Sequence, residues 1–308
     1  MKVSFRSLKN CTLCPRDCHA DRYSDKLGYC KSDHHYNLDT IVNHKGEEPL
    51  INGTHGICNI FFNHCNLQCV YCQNHQISDN QVVMPKADWS LEHIISVVSC
   101  HLQSGCKSIG FVSPSHHIPH VISVIRAFEN YKPKPIFVYN TNAYDKADVL
   151  QQLEGLIDIY LPDLKYASEV LSREFSDAAD YPAVSRKALK EMFRQKGAVL
   201  HRLDEDHAES GLIVRHLVLP GHVENSLEVL RFIADELSPK VHVSLMSQYY
   251  PTYRSGSFIN LQRSITPAEY DTVMNEMELL GLVNGWIQEL DSRDHYQPDF
   301  TKDHPFEG

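Results

Sequence analysis

Short continuous apolar runs along the chain alternate with stretches whose apolar residues recur at helical spacing. The first run, 57–63, reads as a strand, and 90–104 reads as the helix after it. Ile94, Ile95, Val98 and Leu102 share one face of that helix, and Gly105 sits at the C-cap position. Runs 108–112 and 136–139 are further strands, separated by a helix that Pro119 opens with Ile122, Ile125 and Phe128 turned inward. A fourth, fifth and sixth strand follow at 156–161, 212–219 and 241–246, with helical patterns near 183–195 and 227–237. These strands look buried on both faces. The last helix starts at Thr266-Pro267-Ala268-Glu269, a capping box with Pro at N1, and Gly281 stops it; 282–290 reads as an edge strand.

Six strand–helix rounds in series predict an α/β fold with right-handed crossovers. An open doubly wound sheet and a curved barrel both satisfy this pattern, and six rounds suit a partial barrel. In either case functional residues gather at the C-terminal ends of the strands.

At 308 residues, 42% hydrophobic and 22% charged, the chain has apolar material for one large core and a small appendage. The expected division is a Cys-rich amino-terminal lobe at 1–48 and a barrel with a carboxy-terminal extension at 49–308. Met1-Lys2-Val3-Ser4-Phe5 is not followed by an apolar signal region, and no apolar run is long enough to span a bilayer, so a cytoplasmic protein without a membrane partner is expected. Ten cysteines in a reducing compartment read as metal ligands or redox groups rather than disulfides. A net charge of -10 argues against a general phosphate-binding surface and hence against nucleic acid as a partner.

The richest chemistry follows the first strand, in Asn63-His64-Cys65-Asn66-Leu67-Gln68-Cys69-Val70-Tyr71-Cys72-Gln73-Asn74. Three thiolates on a short loop can each take one iron of a 4Fe-4S cluster, leaving the fourth iron open to a chelating ligand. The amino and carboxylate groups of S-adenosylmethionine are such a ligand, and an electron delivered to its sulfonium would yield a 5'-deoxyadenosyl radical. The same spacing also fits one face of a helix, where cysteines pack as small hydrophobes. The polar neighbours are poor core companions and favour the cluster.

The Cys-x3-Cys-x2-Cys spacing, with Tyr71 just before the third cysteine, resembles the signature of the radical S-adenosylmethionine superfamily. Glu47-Glu48-Pro49, Phe61-Phe62, Cys72-Gln73-Asn74, Tyr139-Asn140-Thr141, Tyr160-Leu161-Pro162-Asp163-Leu164-Lys165 and Leu217-Val218-Leu219-Pro220-Gly221 are similar to its pyruvate formate-lyase activating enzyme-related (PflX-like) branch, across almost the whole chain. The resemblance implies a partial (β/α)6 TIM-like barrel with the cluster at its open mouth and the cofactor across the strand ends. It also implies a low-potential donor such as flavodoxin or ferredoxin, and an unidentified substrate from which hydrogen is abstracted, a glycyl-radical protein or peptide among the candidates. Radical modification of a small molecule and a non-enzymatic iron-sulfur electron carrier stand as alternatives.

Other positions at the predicted strand ends carry cofactor-binding expectations. Asp163 and Lys165 point to one face, and a similar Asp-x-Lys lies near the cofactor in activating enzymes; a solvated ion pair is the plain alternative. Arg215, inside an apolar strand, needs an anionic partner, either the methionyl carboxylate or an internal carboxylate. Asn140, Thr141, Asn142, Gln248 and Tyr249 offer neutral hydrogen-bonding groups for ribose and adenine, or serve as turn residues. Where activating enzymes carry Gly-Gly-Glu, this chain reads Ser113-Pro114-Ser115-His116-His117, which leaves open how the methionyl amino group is held; the two histidines are expected to be solvated.

Cys11, Cys14, Cys18 and Cys30 form a second grouping, Cys-x2-Cys-x3-Cys-x11-Cys. Four thiolates could hold zinc or another iron-sulfur cluster; the short loops, with Pro15 and Gly28 to turn them, lean toward a structural metal. Cys58, Cys100 and Cys106 are expected to be packing residues.

Overall fold

The computed structural model describes residues 5–84, 89–294, 297–302 and 304–306. Its strands are β1 (Leu38–His44), β2 (Ile57–Phe62), β3 (Ser108–Val112), β4 (Ile136–Thr141), β5 (Ile159–Pro162), β6 (His201–Arg202), β7 (Ala208–Leu217), β8 (His242–Met246) and β9 (Gly285–Ile287). The sheet runs β1-β2-β3-β4-β5-β7-β8-β9, with β6 paired to β7 off this path. All neighbours from β2 to β9 are parallel, while β1 pairs antiparallel with β2 and β6 antiparallel with β7. The six expected strands are therefore present as β2, β3, β4, β5, β7 and β8, wound as an α/β partial barrel with a Cys-rich amino-terminal segment before it. The edge strand foreseen at 282–290 is β9. β1, which the sequence pattern did not reveal, lies within residues 1–48 and extends the same sheet.

Helix starts follow local chemistry. Ser90 caps Leu91–Gln103 by accepting from the His93 amide, and Thr266 and Glu269 complete a reciprocal capping box on Pro267–Leu279. The helix Val223–Phe232 runs on into a π-helical turn, Ile233–Leu237. Pro119 stands in the first turn of Ile118–Ala127, of which Ile118, Val121, Val124 and Ile125 are buried; Ile122, expected to face inward, is only half-buried.

Strand alternation divides the interior. Cys58, Ile60, Tyr139, Tyr160, Leu212, Val214 and Val243 pack in the main core that also holds the helix residues Ile94, Val98 and Val121. The opposite faces of the strands supply Ile57, Ile136, Val138, Ile159, Leu161 and Ile213, which form an apolar floor together with Leu50 and Ile51. One register step further along those faces the residues turn polar: Asn59, Asn140, Asp163, Arg215 and Ser244. Gly110, paired with Asn59 across β2 and β3, makes this layer possible, since a Cβ there would lie 1.9 Å from Asn59 Oδ1.

Candidate metal centre

β2 ends at Phe62, and His64, with φ of 65°, turns the chain into the loop that carries Cys65, Cys69 and Cys72. No helix occurs between Phe62 and His75, so the helix-face alternative for the three cysteines fails. Each sulfur has a polar neighbour. Cys65 Sγ accepts from Asn142 Nδ2 at 3.3 Å and from the Leu67 amide at 3.4 Å, and Cys69 Sγ accepts from Ser176 Oγ at 3.0 Å. Cys72 Sγ lies 3.2 Å from Ser78 Oγ. Burial raises the Cys65 thiol to about 12 and the Cys72 thiol to about 11, with the neighbouring cysteines adding to the shift, so as free thiols both are protonated at neutral pH. Bound iron would displace those protons, and the hydrogen bonds already aimed at the sulfurs suit thiolates.

The three cysteines share one cavity of about 440 Å³ with Tyr71, Ser113, Asn140, Asn142, Asp163, Lys165, Arg215 and Gln248. Thr141 does not line it: its hydroxyl donates to Asp145 at 2.6 Å and meets Ser115 Oγ at 3.1 Å. Tyr71 is buried, its hydroxyl 2.6 Å from Tyr166, which in turn lies 2.7 Å from the serine hydroxyl bonded to Cys69. Gln248, beyond the end of β8, donates to Gln73 in the cysteine loop and accepts from Gln288. Ser113, with φ of 52°, follows β3 and donates its amide to the Asn140 carbonyl. Tyr249 is buried outside the cavity, its hydroxyl on the Leu261 carbonyl.

Arg215 finds its anions inside the protein. It donates to Asp163 at 2.6 Å, Glu47 at 2.9 Å and Asn140 at 2.6 Å. The register prepares this, because an isolated parallel bridge pairs Asp163, the residue after β5, with Arg215 in β7. Lys165 closes on the other Asp163 oxygen at 2.9 Å, with the two side chains 17% and 20% exposed, so the pair is not the solvated one expected as the plain alternative. Burial pushes the Asp163 carboxyl up, but Arg215 and Lys165 outweigh it and hold the group below its ordinary value.

Glu47 and Glu48 escaped the residue-by-residue reading, although two adjacent acids between apolar runs were a visible signal. They enter from the end of the barrel where β2 begins. Glu47 Oε1 accepts from Asn59 and Asn140, while Glu48 lines the cavity with Oε2 unpartnered, its carboxyl raised by burial. His116 and His117 overturn the expectation of solvated loop residues: both are fully buried, His116 Nε2 3.2 Å from the Asn63 carbonyl and His117 Nδ1 3.4 Å from His120 Nδ1. The turn after β3 folds back under the cysteine loop instead of facing solvent. Cys58 and Cys106 pack in the core as expected, whereas Cys100 is exposed.

In the amino-terminal segment Cys11, Cys14 and Cys30 are buried and Cys18 is exposed. Arg22, 2% exposed, directs Nη2 to Cys30 Sγ at 3.7 Å. The segment docks through Arg16, which donates to the Asn66 carbonyl at 2.8 Å and stacks on Tyr29.

The family model described as a 4Fe-4S single cluster domain matches residues 51–175, the stretch that contains Cys65, Cys69 and Cys72. An uncharacterized protein of Methanocaldococcus jannaschii is 26% identical over 284 residues, 91% of this chain and 76% of the relative. Among solved structures, SuiB of Streptococcus suis bound to S-adenosylmethionine matches with a TM-score of 0.50 at 12% identity, covering 75% of this chain and 50% of SuiB. SuiB bound to its precursor peptide SuiA matches with the same TM-score. This chain thus spans about half the length of SuiB. A domain of pyruvate-formate lyase-activating enzyme from Bacteroides vulgatus matches with a TM-score of 0.40 at 12% identity, covering 56% of this chain and 93% of that domain. The barrel fold is shared with SuiB, and the matched family model describes a 4Fe-4S single cluster domain over the stretch that carries the three cysteines.

Proposed function

We propose that this chain is a radical S-adenosylmethionine enzyme of the cytoplasm, whose barrel at 49–308 holds a 4Fe-4S cluster on Cys65, Cys69 and Cys72. The observation that carries the reading is the placing of three cysteine sulfurs, each with a polar neighbour, in one cavity at the strand ends with Lys165 and Gln248. When bound, the cluster would supply one electron to S-adenosylmethionine and so generate a 5'-deoxyadenosyl radical.

The chain's own residues would bind and orient. Lys165, whose ammonium has donors beyond the bond to Asp163, offers the methionyl carboxylate a cation. Arg215, satisfied by Glu47, Asp163 and Asn140, would position Asp163 and Asn140 rather than meet the cofactor itself. Asn142, which donates to Cys65 Sγ, and Gln248, which donates to Gln73, line the same cavity and are available to the ribose and adenine, with Ser113 following β3.

A protein or peptide substrate is the favoured class: SuiB is seen with a precursor peptide, and the sequence resembles the activating enzyme-related branch. A low-potential flavodoxin or ferredoxin would supply electrons, and the amino-terminal lobe at 1–48 would hold a second metal on Cys11, Cys14, Cys18 and Cys30. The test is anaerobic reconstitution with iron and sulfide, then dithionite and S-adenosylmethionine. The reading predicts 5'-deoxyadenosine from the wild type and none above background from Cys69→Ala; a wild type that binds iron but forms no 5'-deoxyadenosine would favour an electron carrier.

A further inference from the structure

The second metal of that reading can be identified from the surroundings of Arg22. Arg22 is 2% exposed, and among the described residues its side chain makes no ion pair with a carboxylate. Nη2 reaches Cys30 Sγ, and Nη1 has no partner. The nearby histidines His116, His117 and His120 are buried and held well below their ordinary values, by burial first and in part by this cation, so they stay neutral; as imidazoles they cannot balance the charge of Arg22. A buried arginine surrounded by neutral thiols and neutral imidazoles is a costly arrangement. The charge is balanced once the cysteines around it are thiolates, and thiolates gathered in a dry interior require a metal.

Sulfur spacing then separates the metals. Tetrahedral zinc, with Zn–S near 2.3 Å, draws its four sulfurs to within about 3.8 Å of one another. Among the described residues Asp33, His34 and His35 form the one group of three or more metal-type donors within 4.8 Å of one another, so no three of Cys11, Cys14, Cys18 and Cys30 are that close. The barrel cysteines share this wider spacing. It suits a cluster, in which each thiolate takes a different iron. Gly28 lies against the fourth cysteine: a Cβ there would be 2.4 Å from Cys18 Sγ and 3.2 Å from Ala20 Cβ.

We infer that Cys11, Cys14, Cys18 and Cys30 hold a second iron-sulfur cluster rather than zinc, with Arg22 as its buried counter-charge. The site adjoins the barrel centre. Arg16, two residues after Cys14, donates to the carbonyl of the residue after Cys65, and Tyr29, next to Cys30, stacks on the same guanidinium.

The test measures iron, sulfide and zinc in the anaerobically reconstituted Cys65→Ala, Cys69→Ala, Cys72→Ala triple variant. About four irons per chain are expected, with an electron paramagnetic resonance signal on reduction. One zinc per chain with no iron would overturn the inference. As a control on folding, wild type should carry about twice the iron of Cys30→Ala; equal iron in the two would also overturn it. The outcome is independent of the radical reading, because iron in the triple variant is counted whether or not the wild type forms 5'-deoxyadenosine.

Discussion

The two buried arginines of this chain make opposite bargains with their surroundings. Arg215 in the barrel is enclosed by Glu47, Asp163 and Asn140, so its charge is neutralised by the folded chain alone. Arg22 in the amino-terminal segment is more deeply buried, and among the described residues its side chain meets Cys30 and lies near neutral histidines, with no carboxylate paired to it. The barrel network is complete as it stands, whereas the surroundings of Arg22 are complete only when its cysteines are ionised. A buried cation without a carboxylate thus marks a place where a ligand supplies the missing charge.

The largest effect should come from breaking the self-contained network. Asp163→Asn leaves Arg215 and Lys165 short of a charge in a site where both side chains are mostly covered, and should destabilise the metal-free protein by about 3–5 kcal/mol in urea unfolding. A loss below about 1 kcal/mol would mean the network is solvated. Arg22→Met should have the other sign in the metal-free protein, leaving it unchanged or stabilising it by about 1–2 kcal/mol, because an uncompensated charge is removed. In the loaded protein the same variant should lose amino-terminal iron to a chelator at least about tenfold faster, since a counter-charge worth ~1.4 kcal/mol or more is gone. Equal destabilisation by the two substitutions without metal would erase the distinction between the sites.

A smaller effect should appear in acid. Burial first, and Arg22 second, hold His116 at about 3; burial again, and to a lesser extent Arg22, hold His120 at about 4. An unfolded histidine titrates near 6.5, so the native state binds fewer protons than the unfolded one between these values. The stability these groups contribute is fully present above about pH 6.5 and falls as pH drops toward 4 and then 3. Urea midpoints measured from pH 7 to pH 4 should decline in wild type and decline less in Arg22→Met; parallel slopes would show that the cation does not act on the imidazoles.

Much of the barrel was legible because buried parallel strands are continuous apolar runs and their helices carry a clear apolar stripe, as at Ile94 and Val98. The metal loop was legible because three cysteines among polar residues have few other uses. β1 was not, since an edge strand of mixed polarity such as Leu38-Asp39-Thr40 carries little periodic signal. Nor were the roles of Glu47, Glu48 and Asn59, because their function depends on register across several strands, which places them beside Arg215 and beneath the cavity. His116 and His117 misled for a related reason: a turn rich in polar residues reads as exposed, yet the chain after β3 packs against Asn63 and His120.

The central claim is that the cluster on Cys65, Cys69 and Cys72 has one iron open to S-adenosylmethionine. Electron paramagnetic resonance of the dithionite-reduced protein, with and without S-adenosylmethionine, addresses it through the part of the signal that vanishes in Cys69→Ala. That component should change its g-values when the cofactor is added to the wild type; an identical spectrum at saturating cofactor would mean that every iron is already capped, and the account would be wrong.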